Sequence, residues 1–280
     1  MILFQASASG FIRHTASQLV HLEASTAAFL AAVCLATWLM MFLVEHQPFS
    51  RVGLRGGSGS MSELSLGLTG GVALVGAITV MEWATGSIHF EPSGESAGEA
   101  LMIAIRATGI FALGATTEEL LFRGYAFQRL VEGTNGYFAA AATSIVFGLL
   151  HRANPHATAL SVANTMLAGV LLSLGYLKTR ALWLPIGFHF SWNWSLALAG
   201  LPISGLDLGN MPWQAMPTEN HTWINGGAYG PEGGVVATVA LSAGVVYLLR
   251  MKQTITPPPE TDETHRVPSG NFPESLPPLT

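Results

Sequence analysis

Long runs without a charged side chain constrain what this chain can fold into more than any other feature. Five such runs are clear, and they cover residues 27–44, 64–81, 157–177, 181–199 and 233–249. Each is close to the ~20 apolar residues that a helix needs to cross the ~30 Å hydrocarbon core of a bilayer. Two weaker candidates are 100–117, which contains Arg106, and 137–150, which is short. We therefore predict an all-α, polytopic transmembrane bundle of about seven spans, within a range of roughly six to eight.

The composition supports a membrane protein and excludes other classes. Apolar residues make up 50% of the chain and charged residues only 10%, against the roughly 25% charged residues of a typical soluble domain. A net charge of −5 argues against a nucleic-acid-binding protein, which needs a basic surface. The single cysteine, Cys34, excludes a disulfide within the chain and a metal site built from several cysteines. The expected partner is therefore a lipid bilayer, and nucleic acid is not expected.

Three parts of the chain differ in composition. Residues 1–26 contain charged side chains and lack the short apolar core and cleavage site of a signal peptide, so we expect an N-terminal leader that is interfacial or loose. Residues 27–253 form the predicted transmembrane domain. Residues 254–280 are rich in proline and polar side chains, which is typical of a disordered tail.

Basic side chains predict the orientation of the domain in the membrane. If seven spans alternate, most lysines and arginines outside the spans fall on one side: Arg51, Arg55, Arg129, Lys178, Arg180, Arg250 and Lys252. The acidic segment 91–99 and the long loop 201–232 fall on the other side. By the positive-inside rule, the basic side is cytoplasmic. The carboxyl terminus is therefore expected in the cytoplasm.

The densest set of polar residues inside an apolar segment is Thr-Thr-Glu-Glu-Leu-Leu-Phe-Arg at 116–123. An ionisable group in hydrocarbon costs roughly 2.5–3.5 kcal/mol on insertion scales, so such groups are candidates for function. Glu119 and Arg123 are four residues apart, which favours an ion pair on one helix face. Glu118 lies ~100° away around the helix and is a candidate general base. The alternative is a helix end at the interface, where these charges meet water.

Two histidines complete the set of polar candidates. His151 ends an apolar segment, and His189 is four residues before Asn193, so His189 and Asn193 share a helix face. A single histidine in a membrane helix is more often a hydrogen-bonded packing residue than a catalyst. The case for catalysis therefore depends on whether these residues meet Glu118.

The spacing of the motifs predicts that they meet inside the membrane. Glu118 lies about sixteen residues before a turn expected at 132–136 and His151 about sixteen residues after it, which puts both ~24 Å from that turn. His189 is only ~13 Å from the cytoplasmic end of its span, so a tilt must absorb the difference. The helix of Glu118 is expected to be long, roughly residues 99–131, and bent at a glycine. The available glycines are Gly109, Gly114 and Gly124.

Taken together, the motifs resemble those of a known family. The chain contains EExxxR, FxxxH and HxxxN in this order, formed by Glu118, Glu119 and Arg123, by Phe147 and His151, and by His189 and Asn193. These are similar to the motifs of the CPBP family, which includes type II CAAX prenyl endopeptidases, bacteriocin-processing proteins and Abi proteins, also called intramembrane metalloproteases. The resemblance covers roughly residues 100–201.

The resemblance implies a helical fold in a bacterial plasma membrane, with a polar intramembrane cavity that opens toward the cytoplasm. It implies a hydrolase, an endopeptidase that cuts a peptide bond of a membrane-associated or lipid-modified peptide or protein. Glu118 and His151 would activate the attacking water, and His189 and Asn193 would stabilise the oxyanion. Glu119 and Arg123 complete the implied catalytic set.

Other interpretations stay open at this level. Glu118, His151 and His189 resemble the ligand set of a zinc hydrolase, although the chain has no HExxH motif. No other cofactor is indicated, and metal-independent catalysis is slightly favoured. A non-catalytic scaffold or an immunity protein that protects against a bacteriocin would keep the same polar residues for structure. A proton-coupled transporter would use them as a relay, but no internal symmetry is visible.

Overall fold

Helices dominate the computed structural model, which describes residues 16–94, 96–206 and 211–252. They are α1 (Ala16–Leu39), α2 (Ser58–Ala84), α3 (Ala97–Arg123), α4 (Tyr125–Gly133), α5 (Gly136–His151), α6 (Ala159–Thr179), α7 (Trp183–Leu198), α8 (Thr222–Asn225) and α9 (Val235–Arg250). A π-helical segment, Met40–Val44, extends α1. The predicted all-α bundle is confirmed.

Several of these helices are suited to crossing a membrane. Within the described residues, four are long and apolar enough to do so: His21–Val44, Gly59–Ala84, Ala97–Gly133 and Ala159–Thr179. Gly136–His151 and Val235–Arg250 are shorter apolar helices. The polytopic character is therefore confirmed, while the count of seven spans stays a prediction.

The ends of the chain were predicted to form separate segments. The first helix begins at Ala16, so it runs through residue 26, where the leader was expected to end. The earlier part of that leader and the tail at 254–280 lie outside the described residues. The division into leader, membrane domain and tail thus stays a prediction.

Local signals set the starts of the three helices that carry or support the polar motifs. Ser96 and Glu99 form a capping box at the start of α3, and Thr158 and Ser161 form another at the start of α6. The Asn135 side chain accepts a hydrogen bond from the backbone of the third residue of α5. These caps satisfy backbone N–H groups that have no partner within the helix.

Close packing of α2 against α7 positions the helix that carries His189. A Cβ atom at Gly71 would lie 2.1 Å from the Ser191 Oγ and 2.7 Å from the Phe188 carbonyl oxygen. Only glycine permits this approach, and small residues serve the same purpose between membrane helices in general. The contact fixes α7 against α2 directly beside the HxxxN motif.

Two short strands were not predicted from the sequence. β1 (Ile88–Pro92) follows α2, and β2 (Trp213–Pro217) lies in the long loop between α7 and α9. They pair antiparallel, with Phe90 opposite Ala215. The sheet ties the acidic segment to the long loop, on the side of the bundle opposite the basic loops.

Candidate active site

A buried ion pair joins the two ends of the EExxxR motif. Arg123 Nη1 donates to both carboxylate oxygens of Glu119, at 3.1 and 3.2 Å, and both side chains are fully buried. The same guanidinium donates to the Gly169 carbonyl oxygen at 2.9 Å and to the Ser173 Oγ at 3.4 Å. The pair expected from the four-residue spacing is present, and it ties α3 to α6.

The Glu119 carboxylate also holds His189. His189 Nδ1 lies 2.8 Å from Glu119 Oε1, and since a carboxylate accepts, Nδ1 carries the proton. The other ring nitrogen, Nε2, lies 3.9 Å from Glu118 Oε2. The imidazole therefore stands between the two adjacent carboxylates, with its orientation set by Glu119.

His151 approaches the same carboxylate from α5. Its Nδ1 donates to the Phe147 carbonyl oxygen at 2.7 Å, which leaves Nε2 as the acceptor in the neutral ring. The Glu118 carboxylate interacts electrostatically with the imidazoles of both His151 and His189. Glu118 and His151 are buried, at 6% and 8% exposure. Three helices thus deliver one carboxylate and two imidazoles to a common point.

A break in the helix at Gly124 helps to explain why His189 and Glu118 lie at the same depth in the bundle. The chain is helical from Ala97 to Arg123, passes Gly109 and Gly114 without interruption, and resumes as α4 after Gly124. Glu118 is therefore only ~9 Å from the end of α3, and His189 is equally ~9 Å from the start of α7. The expected long helix is present, and Gly124 is the glycine at which it breaks.

Asn193 lies one helical turn after His189 on α7 and is half-buried. This placement puts its amide on the helix face that carries His189. Of the six residues singled out in the sequence, five are therefore linked by contacts or charge interactions, and Asn193 shares the helix face of His189.

Apolar side chains fill the bundle on the basic side of this cluster. Val52, Phe127 and Leu182 are fully buried there, and they belong to one apolar cluster with Leu120, the residue after Glu119. The predicted opening of the site toward the cytoplasm stays a prediction.

Comparison with known proteins agrees with the motifs. A family model described as "Type II CAAX prenyl endopeptidase Rce1-like" matches residues 100–195. Over this segment, the chain is similar to the family that its motifs resemble. The protein named "Putative membrane peptidase YdiL" from Bacillus subtilis (strain 168) is 33% identical over 81 residues, which make up 29% of this chain and 31% of that protein. No solved structure matches the chain.

The family match and the apolar helices together support an integral membrane protein that is similar to a family of membrane proteases. The matched segment contains most of α3, all of α4 to α6 and most of α7, and so includes all six motif residues. The match covers about a third of each chain, so substrate and activity are matters for proposal.

A zinc site would be built from Glu118, His151 and His189. Among the residues that the structure describes, no group of three or more His, Cys, Asp or Glu side chains is arranged to hold a metal ion. Glu119 is bound to Arg123 and to His189 Nδ1, and His151 Nδ1 is bound to a carbonyl oxygen. The hydrogen bonds at the two Nδ1 atoms leave Nε2 of His151 and of His189 as the atoms that would ligate a zinc ion together with Glu118. Zinc binding stays a prediction.

Contacts around Arg123 involve the motif residue Phe147 and two residues of α6 that were not identified from the sequence. The Phe147 ring lies under the Arg123 guanidinium, with 4.9 Å from Cζ to the ring centroid, and 4.5 Å from the His151 ring centroid. Gly169 and Ser173 bind Arg123 from α6. A small residue four positions before a serine in an apolar helix carries no distinctive signal, and only the contact reveals its role.

Proposed function

We propose that this protein is an intramembrane endopeptidase that hydrolyses a peptide bond with water activated by Glu118 and His151. The observation that carries the proposal is the meeting of Glu118, His151 and His189 from three separate helices inside an apolar bundle. Ionisable groups inside the membrane are energetically costly, so their presence there favours a functional role. Similarity to a family of membrane proteases supports the same proposal.

The hydrogen bonds support different roles for the two histidines. His151 donates from Nδ1 to a carbonyl oxygen, so Nε2 of the neutral ring can accept a proton from water. Glu118 is the second acceptor beside it. The water oxygen bonds to the substrate carbonyl carbon while its proton passes to this pair, and the proton then moves to the leaving amine as the C–N bond breaks.

His189 is suited to the opposite role. Because Nδ1 already donates to Glu119, donation from Nε2 as well requires the imidazolium form, and the two adjacent carboxylates supply the countercharge. That N–H and the Asn193 amide would donate to the oxyanion on the substrate carbonyl. Removal of one such donor costs about 2.7–4 kcal/mol in other hydrolases.

The proposed substrate is a membrane-associated or lipid-modified peptide, since a site among membrane-spanning helices favours a substrate held at the bilayer. We place the protein in a bacterial plasma membrane with its carboxyl terminus in the cytoplasm, as the distribution of basic residues indicates. Green fluorescent protein fused to the carboxyl terminus should then fluoresce, and an alkaline phosphatase fusion at that position should be inactive. The reverse pattern would contradict this orientation.

The activity is tested with protein reconstituted in liposomes and a library of quenched fluorescent peptides, prepared with and without a farnesylated cysteine. Wild type should cleave members of the library, and Glu118→Gln and His151→Ala should lose at least about 100-fold in kcat. The matched controls are Glu91→Gln and His89→Ala, two exposed residues of β1. They should keep wild-type rates.

Each alternative gives a different result. Unchanged cleavage by Glu118→Gln or His151→Ala would refute the catalytic assignment. No cleavage by wild type, together with undiminished protection of cells by both variants in a bacteriocin immunity assay, would favour a scaffold or immunity protein. Loss of activity in EDTA that added Zn²⁺ restores would show a metal requirement.

A further inference from the structure

Glu232 lies outside the three motifs but is bound to several parts of the molecule at once. Its Oε1 accepts a hydrogen bond from Trp192 Nε1 at 3.0 Å. Its Oε2 accepts from the Ser204 backbone N–H and, at 2.9 Å, from the Ser204 Oγ. Its backbone carbonyl accepts from the Asn164 side chain at 2.9 Å. A half-buried carboxylate that accepts three hydrogen bonds holds the loop before α9 in place.

These bonds lead to both histidines. Trp192 lies between His189 and Asn193 in sequence and belongs to the same helix. Ser204, the second partner, accepts a hydrogen bond at its carbonyl oxygen from the Asn154 side chain at 3.1 Å, and Asn154 is three residues after His151. Glu232 thus connects α7 with the end of α5 through two short chains of hydrogen bonds.

The Glu232 charge also acts on the site itself, since its carboxylate interacts electrostatically with the His151 imidazole. The residue therefore lies near the proposed water-activating pair. This arrangement suits a residue that acts by positioning other side chains.

We propose that Glu232 is a positioning residue that holds the helix of His189 and Asn193 against the end of the helix of His151. The proposal rests on the endopeptidase function above, because the alignment it describes is that of the water-activating pair with the oxyanion donors. A misplacement of about 1 Å in such a set can reduce the rate by about 100-fold. Binding of a substrate chain along the bundle does not depend on this alignment.

The two acceptor oxygens of Glu232 decide which substitutions test its role. Glu232→Gln keeps the volume, but its amide nitrogen cannot accept, so either Trp192 or Ser204 loses its acceptor. Glu232→Asp keeps two acceptor oxygens and the charge. We expect Glu232→Gln to lower kcat by about 10- to 100-fold with KM within about threefold, and Glu232→Asp to recover most of that loss.

A partner variant tests the connection. Trp192→Phe keeps an aromatic ring but removes the donor to Glu232 and part of the buried indole, so it should lower kcat in the same direction. The double variant should be no worse than Glu232→Gln alone, because both changes break one link. Glu219→Gln, which removes an exposed acid from the same loop, is the control and should behave as wild type.

The proposal has a readout that does not depend on turnover. Hydrogen exchange measured by mass spectrometry should rise in Glu232→Gln at residues 201–206 and 151–157, and stay unchanged in Glu219→Gln. Unchanged exchange in Glu232→Gln would overturn the proposal whatever the enzyme does.

Kinetic outcomes separate this proposal from the proposed function. If Glu118→Gln abolishes cleavage but folded Glu232→Gln keeps wild-type kcat, or loses only yield and thermal stability, the positioning role is wrong and the endopeptidase stands. Fully additive losses in the double variant would equally contradict it. If Glu118→Gln cleaves as wild type does, the proposed function fails.

Discussion

Replacement of Glu119 by glutamine should destabilise the protein strongly although the side chain barely changes in size. Glu119 neutralises Arg123 at 3.1 and 3.2 Å and accepts from His189 at 2.8 Å. A glutamine keeps one acceptor oxygen, and an amide nitrogen replaces the other. Either Arg123 or His189 then faces an N–H donor in place of an acceptor. The variant therefore leaves a fully buried guanidinium without its countercharge.

The size of the effect follows from known buried pairs. Removal of one partner of a buried ion pair costs about 3–5 kcal/mol. Polar contacts in membrane proteins contribute less than in water, because unfolded helices in the membrane also find partners. We therefore expect Glu119→Gln to lower the free energy of unfolding by about 3 kcal/mol, the lower limit of that range. This corresponds to about a 150-fold change in the unfolding equilibrium constant. For a chain of this size it corresponds to a fall of about 6–12 °C in Tm.

Thermal unfolding in detergent micelles, followed by tryptophan fluorescence, measures this fall. The matched control is Glu118→Gln, which makes the same chemical change one residue earlier and leaves the Glu119–Arg123 pair intact. It should stay within about 1 kcal/mol of wild type while losing cleavage. Equal destabilisation by the two variants, or none in Glu119→Gln, would refute the division of labour between the two carboxylates.

Three further predictions concern residues around the site. Gly124→Ala should cost about 1–3 kcal/mol, because its Cβ would lie 2.1 Å from the Leu120 carbonyl oxygen; a wild-type Tm would contradict this. Asn164→Ala should cost about 1–3 kcal/mol, since it removes bonds to the Glu232 and Gly234 carbonyls and to Thr238; denaturant titration in micelles measures it, and no change in midpoint would refute it. Burial and the Glu232 carboxylate raise the pKa of the Tyr229 phenol to about 12. The unfolded phenol ionises near pH 10, so wild type should lose about 2–3 kcal/mol between about pH 10 and 12. Tyr229→Phe should lack this loss, and matching pH profiles of Tm would contradict it.

The Glu119–Arg123 pair shows what sequence spacing predicts well. Residues four apart on a helix lie on one face, and this geometry depends on the backbone alone. The pair is present as predicted, and its burial gives it the character of a clamp. The contact between Glu119 and His189 joins residues 70 positions apart. Its existence depends on the break at Gly124 and on the packing of α7 against α2 at Gly71.

Glu232 shows the limit of the same reasoning. The sequence places one acidic residue in a glycine-rich stretch before the last apolar run, which is typical of an exposed loop. The structure instead surrounds it with donors from α7 and from the loop that follows α7. Nothing in the local pattern indicates these partners, because they come from segments about 30 to 40 residues earlier in the chain.

The sequence by itself indicated an integral membrane protein and located the polar residues within its apolar segments. It could do so because apolar runs and helix periodicity are local properties of the chain. It also showed the resemblance to a protease family through three ordered motifs. Only the tertiary structure decided that Glu119, rather than Glu118, holds His189, and that His151 and His189 each use Nδ1 for a hydrogen bond and so present Nε2 to a common point. These outcomes depend on how helices break and how closely they pack, and such distances are set by contacts between segments that are far apart in the chain.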